Sequence, residues 1–222
     1  MTVTTDAAAE RLGVSQRQVQ RLIAAGELPA QRTAGDAWLV DALALNALAR
    51  GRPVRGRPWT QATAWAALWQ LSGFDATWLE PRAAARLIAR LEHMNPDTLV
   101  HACRRRAATH RFRASESFLD ALRERVALTA SSATSVADFD MDADLRRFDG
   151  YCSHSSLDDL AAEFHLASDA RGNVTLRVVE AREDLLLGRR AMPIAVVAAD
   201  LLESDEPRDR AAGLRVLERL LR

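Results

Sequence analysis

The chain has 222 residues, of which 48% are hydrophobic and 27% charged, which is enough apolar material for a sizeable core and too much for a disordered chain. Its 30 basic residues are all Arg and balance 30 acidic residues to a formal net charge of zero. No apolar run approaches the roughly 20 residues that span a bilayer, the opening residues hold no hydrophobic leader, and two cysteines, Cys103 and Cys152, make no disulfide framework. The expectation is a cytoplasmic protein with no membrane association.

The neutral total hides an asymmetry. Residues 1–113 carry 16 Arg against 9 acids, and residues 114–222 carry 14 Arg against 21 acids. A basic half suits a polyanion, and an acidic half suits some other partner.

In chain order, Thr5 is expected to cap a first helix with Asp6 in its first turn and Gly13 at its end. Ser15 caps a second helix from Gln16 to about Ala25, closed by Gly26. Val19, Leu22 and Ile23 form its buried stripe, which turns Arg17 and Arg21 outward with Gln18 and Gln20 on the flanks. Two short helices joined by a Gly-containing turn make a helix-turn-helix unit. Outward Arg and Gln are the side chains that read guanine and adenine edges in a major groove; they also serve as an ordinary solvated face.

Residues 27–40 read as two short strands around a Gly35-Asp36 turn, a hairpin wing carrying Arg32, after which Asp41 caps a helix to about Ala49. The stretch Thr4–Val40, with AAAERLGVSQRQVQRLIAAGELPA at Ala7–Ala30, resembles the helix-turn-helix of the excisionase and MerR-like families. It departs from them at Val19-Gln20, where many members carry Tyr or Trp. The resemblance implies that the second helix enters the major groove and the wing touches the backbone. It singles out Gln16, Arg17, Gln18, Gln20 and Arg21 on the helix and Arg32 on the wing; Ser15, at the start of the helix, is a further candidate DNA contact.

Residues 50–58 repeat Arg-Gly-Arg-Pro twice, an extended linker with Arg50, Arg52, Arg55 and Arg57 and no acid. The repeat resembles the core of an AT-hook, an Arg arm for A·T minor grooves. Three readings stand: minor-groove insertion, phosphate contact, or a solvated linker.

From Trp59 the pattern is helical. Thr60 caps a helix with Trp65, Leu68, Trp69 and Leu71; Glu80-Pro81 opens one with Leu87, Ile88 and Leu91; Asn95-Pro96 opens another through Leu99 and Cys103. The Trp cluster reads as core or an inter-domain seam. Arg104, Arg105, Arg106, Arg111 and Arg113 then form the densest positive patch, with Thr109–Arg113 alternating like a short strand. That patch suits phosphate or an acidic protein. A helix with Phe118, Leu119, Leu122 and Val126 inward follows, capped by Ser115 or Ser117.

The small polar run at Ala130–Val136 reads as a boundary. Asp138, Asp140, Asp142 and Asp144 alternate after it, but the Gly and terminal Glu of a calcium loop are missing. Beyond lie a short strand at Gly150–Cys152, a helix with Leu157, Leu160 and Phe164 inward capped by Ser155 or Ser156, a strand at Val174–Val179, and helices opened by Pro193 and by Asp205-Glu206-Pro207. The expected fold is mainly α with a smaller α+β part. A winged helix-turn-helix at 1–49 leads through the linker at 50–58 to a helical middle at 59–129 and an α+β domain at 130–222.

GNVTLRVV at Gly172–Val179 and AVVAADLLESDEPRDRAAGLRVLERLL at Ala195–Leu221 resemble the C-terminal region of AbiEi-type antitoxins and related actinobacterial helix-turn-helix proteins. That resemblance implies an autorepressor that binds double-stranded DNA of its own operon and antagonises a nucleotidyltransferase toxin of the AbiEii class. The alternative is an excisionase-like or packaging DNA-binding protein without a toxin. A third reading is an interaction adaptor or enzyme whose N-terminal helices only pack.

No catalytic constellation stands out. His93, His101, His110, His154 and His165 are scattered, no phosphate-cradling Gly loop or nucleophile elbow occurs, and Cys152 and His154 alone do not make a zinc site. No cofactor, metal or enzymatic activity is expected. One helix-turn-helix reads few bases, so a homodimer or a second DNA-binding face is expected.

Overall fold

The computed structural model describes residues 2–33, 37–42, 45, 48, 57–133, 139 and 146–222. The chain folds as two compact units, residues 1–55 and 56–222, built from helices and two sheets.

The first unit begins with a strand absent from the sequence expectation, β1 (Thr2–Thr4). Because β1 runs directly into α1 (Thr5–Leu12), the cap moves one residue back: Thr4, not Thr5, is the N-cap, and its hydroxyl accepts from Ala7 N at 3.3 Å. Gly13 ends α1 at φ 61°, a left-handed conformation that costs a glycine little. Ser15 then caps α2 (Gln16–Ala24), accepting from Gln18 N at 3.3 Å. The two strands expected at residues 27–40 form an antiparallel pair, β2 (Ala30–Arg32) with β3 (Trp38–Asp41), and β1 joins on the far side of β3. Asp41 ends β3 and pairs with Thr2. Gly35-Asp36 lies outside the described residues, as does much of the expected helix after Asp41, of which Ala42, Leu45 and Leu48 are helical. Ala8, Val19, Leu22, Leu28, Val40 and Leu45 form the core of this unit.

The second unit is one body, which corrects the expected division at residue 130. Its sheet runs β5-β6-β8-β4-β7, drawing β4 (Ala108–Arg113) and β5 (Ala127–Leu128) from one side of that boundary and β6 (Phe148–Ser153), β7 (Ala167–Ser168) and β8 (Val174–Val179) from the other. β6 and β8 are parallel, joined through α7 (Leu157–Glu163); β4 lies antiparallel to β8, with His110 opposite Leu176. Ala130–Ala133 is not a linker but a buried 3-10 turn. Its serines are buried because both bond to one residue of β6: Ser131 Oγ donates to Asp149 Oδ2 at 3.1 Å, and Ser132 Oγ accepts from Asp149 N at 2.9 Å. Residues 134–138 and Asp140, Asp142 and Asp144 lie outside the described residues. The serine cap also shifts: Ser153 caps the 3-10 turn His154–Ser156, which leads into α7.

Side chains alternate across the strands. One sheet face, with Phe148, Cys152, Val174, Leu176 and Val178, packs on α7 and on α6 (Leu119–Arg123). The other, with Tyr151 and Val179, packs on a larger helical layer: α3 (Gln61–Leu71), α4 (Pro81–Leu91), α5 (Pro96–Cys103), α8 (Ile194–Leu202) and α9 (Pro207–Leu220). Trp65 and Trp69 sit at the centre of that layer, edge to face at 6.1 Å, so the Trp cluster is core. Gly213 lets α9 press onto α8: a Cβ there would meet Ala198 O at 2.5 Å.

Candidate nucleic-acid interface

In the first unit, α2 buries Val19 and Leu22 and leaves Arg17, Arg21, Gln16 and Gln20 exposed. Arg17 and Arg21 are one turn apart, as are Gln16 and Gln20, so each pair projects from one stripe. No acid lies in α2 to neutralise that face. The remaining residues are partly engaged. Ser15 is committed to the cap, Gln18 is half-buried, and Gln16 Nε2 reaches back to Thr5 Oγ1 at 3.5 Å. On the wing, exposed Arg32 holds its guanidinium 5.1 Å from the Trp38 ring centroid, a cation-π contact that limits its swing.

Arg50, Arg52 and Arg55 lie outside the described residues. Arg57 is exposed, and the fold of the second unit brings it together with exposed Arg105 at a shallow groove beside Trp59. Exposed Arg104 engages the side chain of His101, with Nη1 2.7 Å from Nδ1.

The expected patch at 104–113 is not one surface. Arg106 is 2% exposed and points into the core, because the turn after α5 aims it at α8. It donates to Asp200, to Tyr151 Oη at 2.9 Å and to Glu203 at 2.7 Å. Arg111 and Arg113 share one strand face and are held by carboxylates, Asp205 at 3.0 Å and Asp169 at 2.7 Å. Arg106 is therefore structural, and Arg111 and Arg113, still exposed, each face a carboxylate.

The network around Arg106 is the most charged part of the interior. Asp200, fully buried on α8, also accepts from Thr129 and from Tyr151 Oη at 3.1 Å. Arg177 on β8 faces Asp200 as an ion pair at 3.0 Å, without hydrogen-bond alignment, and donates to Asp149 at 3.3 Å. Burial works against the Asp200 carboxylate, but Arg177 and Arg106 outweigh it and hold its pKa below the ordinary value. At Asp149 burial wins over Arg177 and raises the pKa. Burial likewise pushes the nearby Cys103 thiol up to about 12, so it is inert as a nucleophile at neutral pH. A cavity of about 190 Å³ opens beside the network; the ions on its wall pair among themselves, as Arg177 with Asp149 and Arg111 with Asp205. Among the described residues no group of His, Cys, Asp and Glu is placed to hold a metal ion. The sequence signal for this network is a single charge inside each of two apolar runs, Arg177 in β8 and Asp200 in α8.

Residues 2–53 match the family model of a helix-turn-helix domain. The N-terminal unit thus carries a helix-turn-helix domain, which supports a DNA-binding regulator. No curated protein and no solved structure matches the chain. Among the described residues no helix is long and apolar enough to cross a membrane.

Proposed function

We propose that this protein is a sequence-specific transcriptional regulator that represses its own operon and serves as the antitoxin of a nucleotidyltransferase-type toxin, acting in the cytoplasm by binding and not by catalysis. The observation that carries the DNA-reading part is the α2 face: Arg17 and Arg21 project one turn apart from a helix whose opposite stripe, Val19 and Leu22, is buried. Arg at that place pairs with guanine O6 and N7, and Gln20 suits adenine. The antitoxin part is supported by the likeness of Gly172–Val179 and Ala195–Leu221 to AbiEi-type proteins. Because one such helix covers few base pairs, the protein binds its operator as a homodimer on two half-sites.

The test is an anisotropy titration against the DNA upstream of its own gene and against scrambled DNA, at two salt concentrations. Tight, sequence-preferring binding supports the regulator; equal weak binding to both DNAs overturns it. Co-purification with a nucleotidyltransferase encoded beside it tests the antitoxin role. Absence of such a neighbour favours the excisionase-like or packaging reading, which the helix-turn-helix match accommodates equally.

A further inference from the structure

The second unit carries a row of Arg on α4 that none of the preceding roles uses. α4 reads PRAAARLIARL, with Arg82, Arg86 and Arg90 at every fourth position and no acid. All three are exposed, while Leu87 and Leu91 turn inward. At 1.5 Å rise per residue the three Arg follow one another at about 6 Å along the helix. The guanidinium of Arg90 lies 5.1 Å from the centroid of the Trp59 ring. Trp59 in turn is fixed by its backbone N–H, which donates to Ala102 O at 2.9 Å. Beside Trp59, Arg57 and Arg105 line the shallow groove of about 610 Å³. Five guanidinium groups therefore lie along α4 and around one buried ring.

Among the described residues no carboxylate pairs with Arg57, Arg82, Arg86, Arg90 or Arg105, whereas Arg111, Arg113, Arg125, Arg147 and Arg190 each face one. An unpaired cluster of like charge costs self-repulsion unless a counter-charge meets it.

We infer that this surface, Arg82, Arg86, Arg90, Arg57 and Arg105, is a second contact for double-stranded DNA that grips the phosphate backbone. The inference rests on the DNA-binding reading of the N-terminal unit. Charge complementarity selects a polyanion, and the surroundings select a backbone. Trp59 is buried beneath Arg90 and offers no face on which a base could stack. A protein partner would need an apolar anchor among the Arg. The large exposed apolar residue of α4, Ile88, sits about 160° around the helix from Arg86 and on the other side. Contacts of this kind add affinity to any sequence and no base preference.

The test uses the full chain, an operator duplex and a random-sequence duplex, with affinity measured between about 50 and about 200 mM salt. Arg90 stays in place because it covers Trp59. The variant Arg82→Ala/Arg86→Ala/Arg105→Ala is expected to weaken both duplexes to a similar degree and to reduce the slope of log affinity against log salt by about 2.7, at about 0.9 for each phosphate that no longer meets an Arg. Arg86→Glu, a single exposed reversal, moves both quantities in the same direction. An unchanged slope in both variants overturns the inference even if Arg17→Ala/Arg21→Ala abolishes operator preference. Conversely, an Arg17→Ala/Arg21→Ala protein that keeps its operator preference defeats the reading of α2 and leaves the slope to decide this surface. Polyglutamate displacing the wild type as well as a duplex of equal charge assigns the surface to an acidic protein and overturns the inference, and a wild type that binds no duplex at the lower salt overturns both readings.

Discussion

Asp200 accepts a hydrogen bond from Arg106, which lies 94 positions earlier in the chain, and both side chains are almost fully buried. This pair ties α8 to the turn after α5, and Tyr151 and Arg177 bring the sheet into the same network. The carbonyl of Arg106 is engaged too, accepting from Trp65 Nε1 at 3.1 Å.

Removing the Asp200 carboxylate takes away the one acid that both buried guanidinium groups share, leaving Arg106 with Glu203 and Arg177 with Asp149. Asp200→Asn is expected to destabilise the second unit by about 3–5 kcal/mol. Thermal unfolding followed by circular dichroism should show a midpoint lower by roughly 10 °C. A loss below about 1 kcal/mol would show that the two Arg find other partners or water.

Asp149 should respond in the opposite sense to the same chemical change. Its pKa is raised in the fold, so its contribution to stability is fullest below the unfolded value and declines as pH rises through the folded value. Asp149→Asn removes that cost together with the ion pair to Arg177, so the variant is expected to gain stability relative to the wild type as pH rises from acid to neutral. The difference should shrink as pH falls through the raised pKa, because the wild-type carboxyl is then neutral as well. Asp200, with its lowered pKa, stabilises above the unfolded carboxylate value and loses that effect only in stronger acid. Urea midpoints of both variants across acid to neutral pH separate the two behaviours.

Arg17→Ala and Arg21→Ala remove exposed side chains from α2, so stability should change by less than about 0.5 kcal/mol. Each should reduce discrimination between operator and random DNA by about 1–3 kcal/mol. Competition anisotropy measures the ratio directly; two variants that discriminate like the wild type would remove α2 from base reading.

Gly213→Ala tests the seam between α8 and α9. The new Cβ would sit 2.5 Å from Ala198 O and 2.7 Å from Leu202 N, both backbone atoms that cannot rotate away. Overpacking of this kind costs about 1–3 kcal/mol, visible as a lower urea midpoint. An unchanged midpoint would mean that the two helices slide apart at little cost.

Local chemistry was enough to place most helices and the main strand of the second unit. Gly13, Ser15 and Gly26 punctuate α1 and α2, while Pro81, Pro96, Pro193 and Pro207 mark helix starts, because caps and breakers act within one turn of the backbone. The periodicity of Val19, Leu22 and Ile23 likewise located the outward face of α2, since it is a property of one helix alone. Tertiary structure decided the rest. Ser131 and Ser132 have the composition of a linker and become core because Asp149 supplies their hydrogen bonds from β6. Arg104, Arg105 and Arg106 are identical in sequence and differ in fate because only Arg106 meets Asp200 and Glu203, 94 and 97 positions away. Arg57 and Arg105 come to one groove because the segment at Trp59 is pinned to α5. A charge is legible in a sequence, but whether it is paired depends on distance in space, which only packing sets.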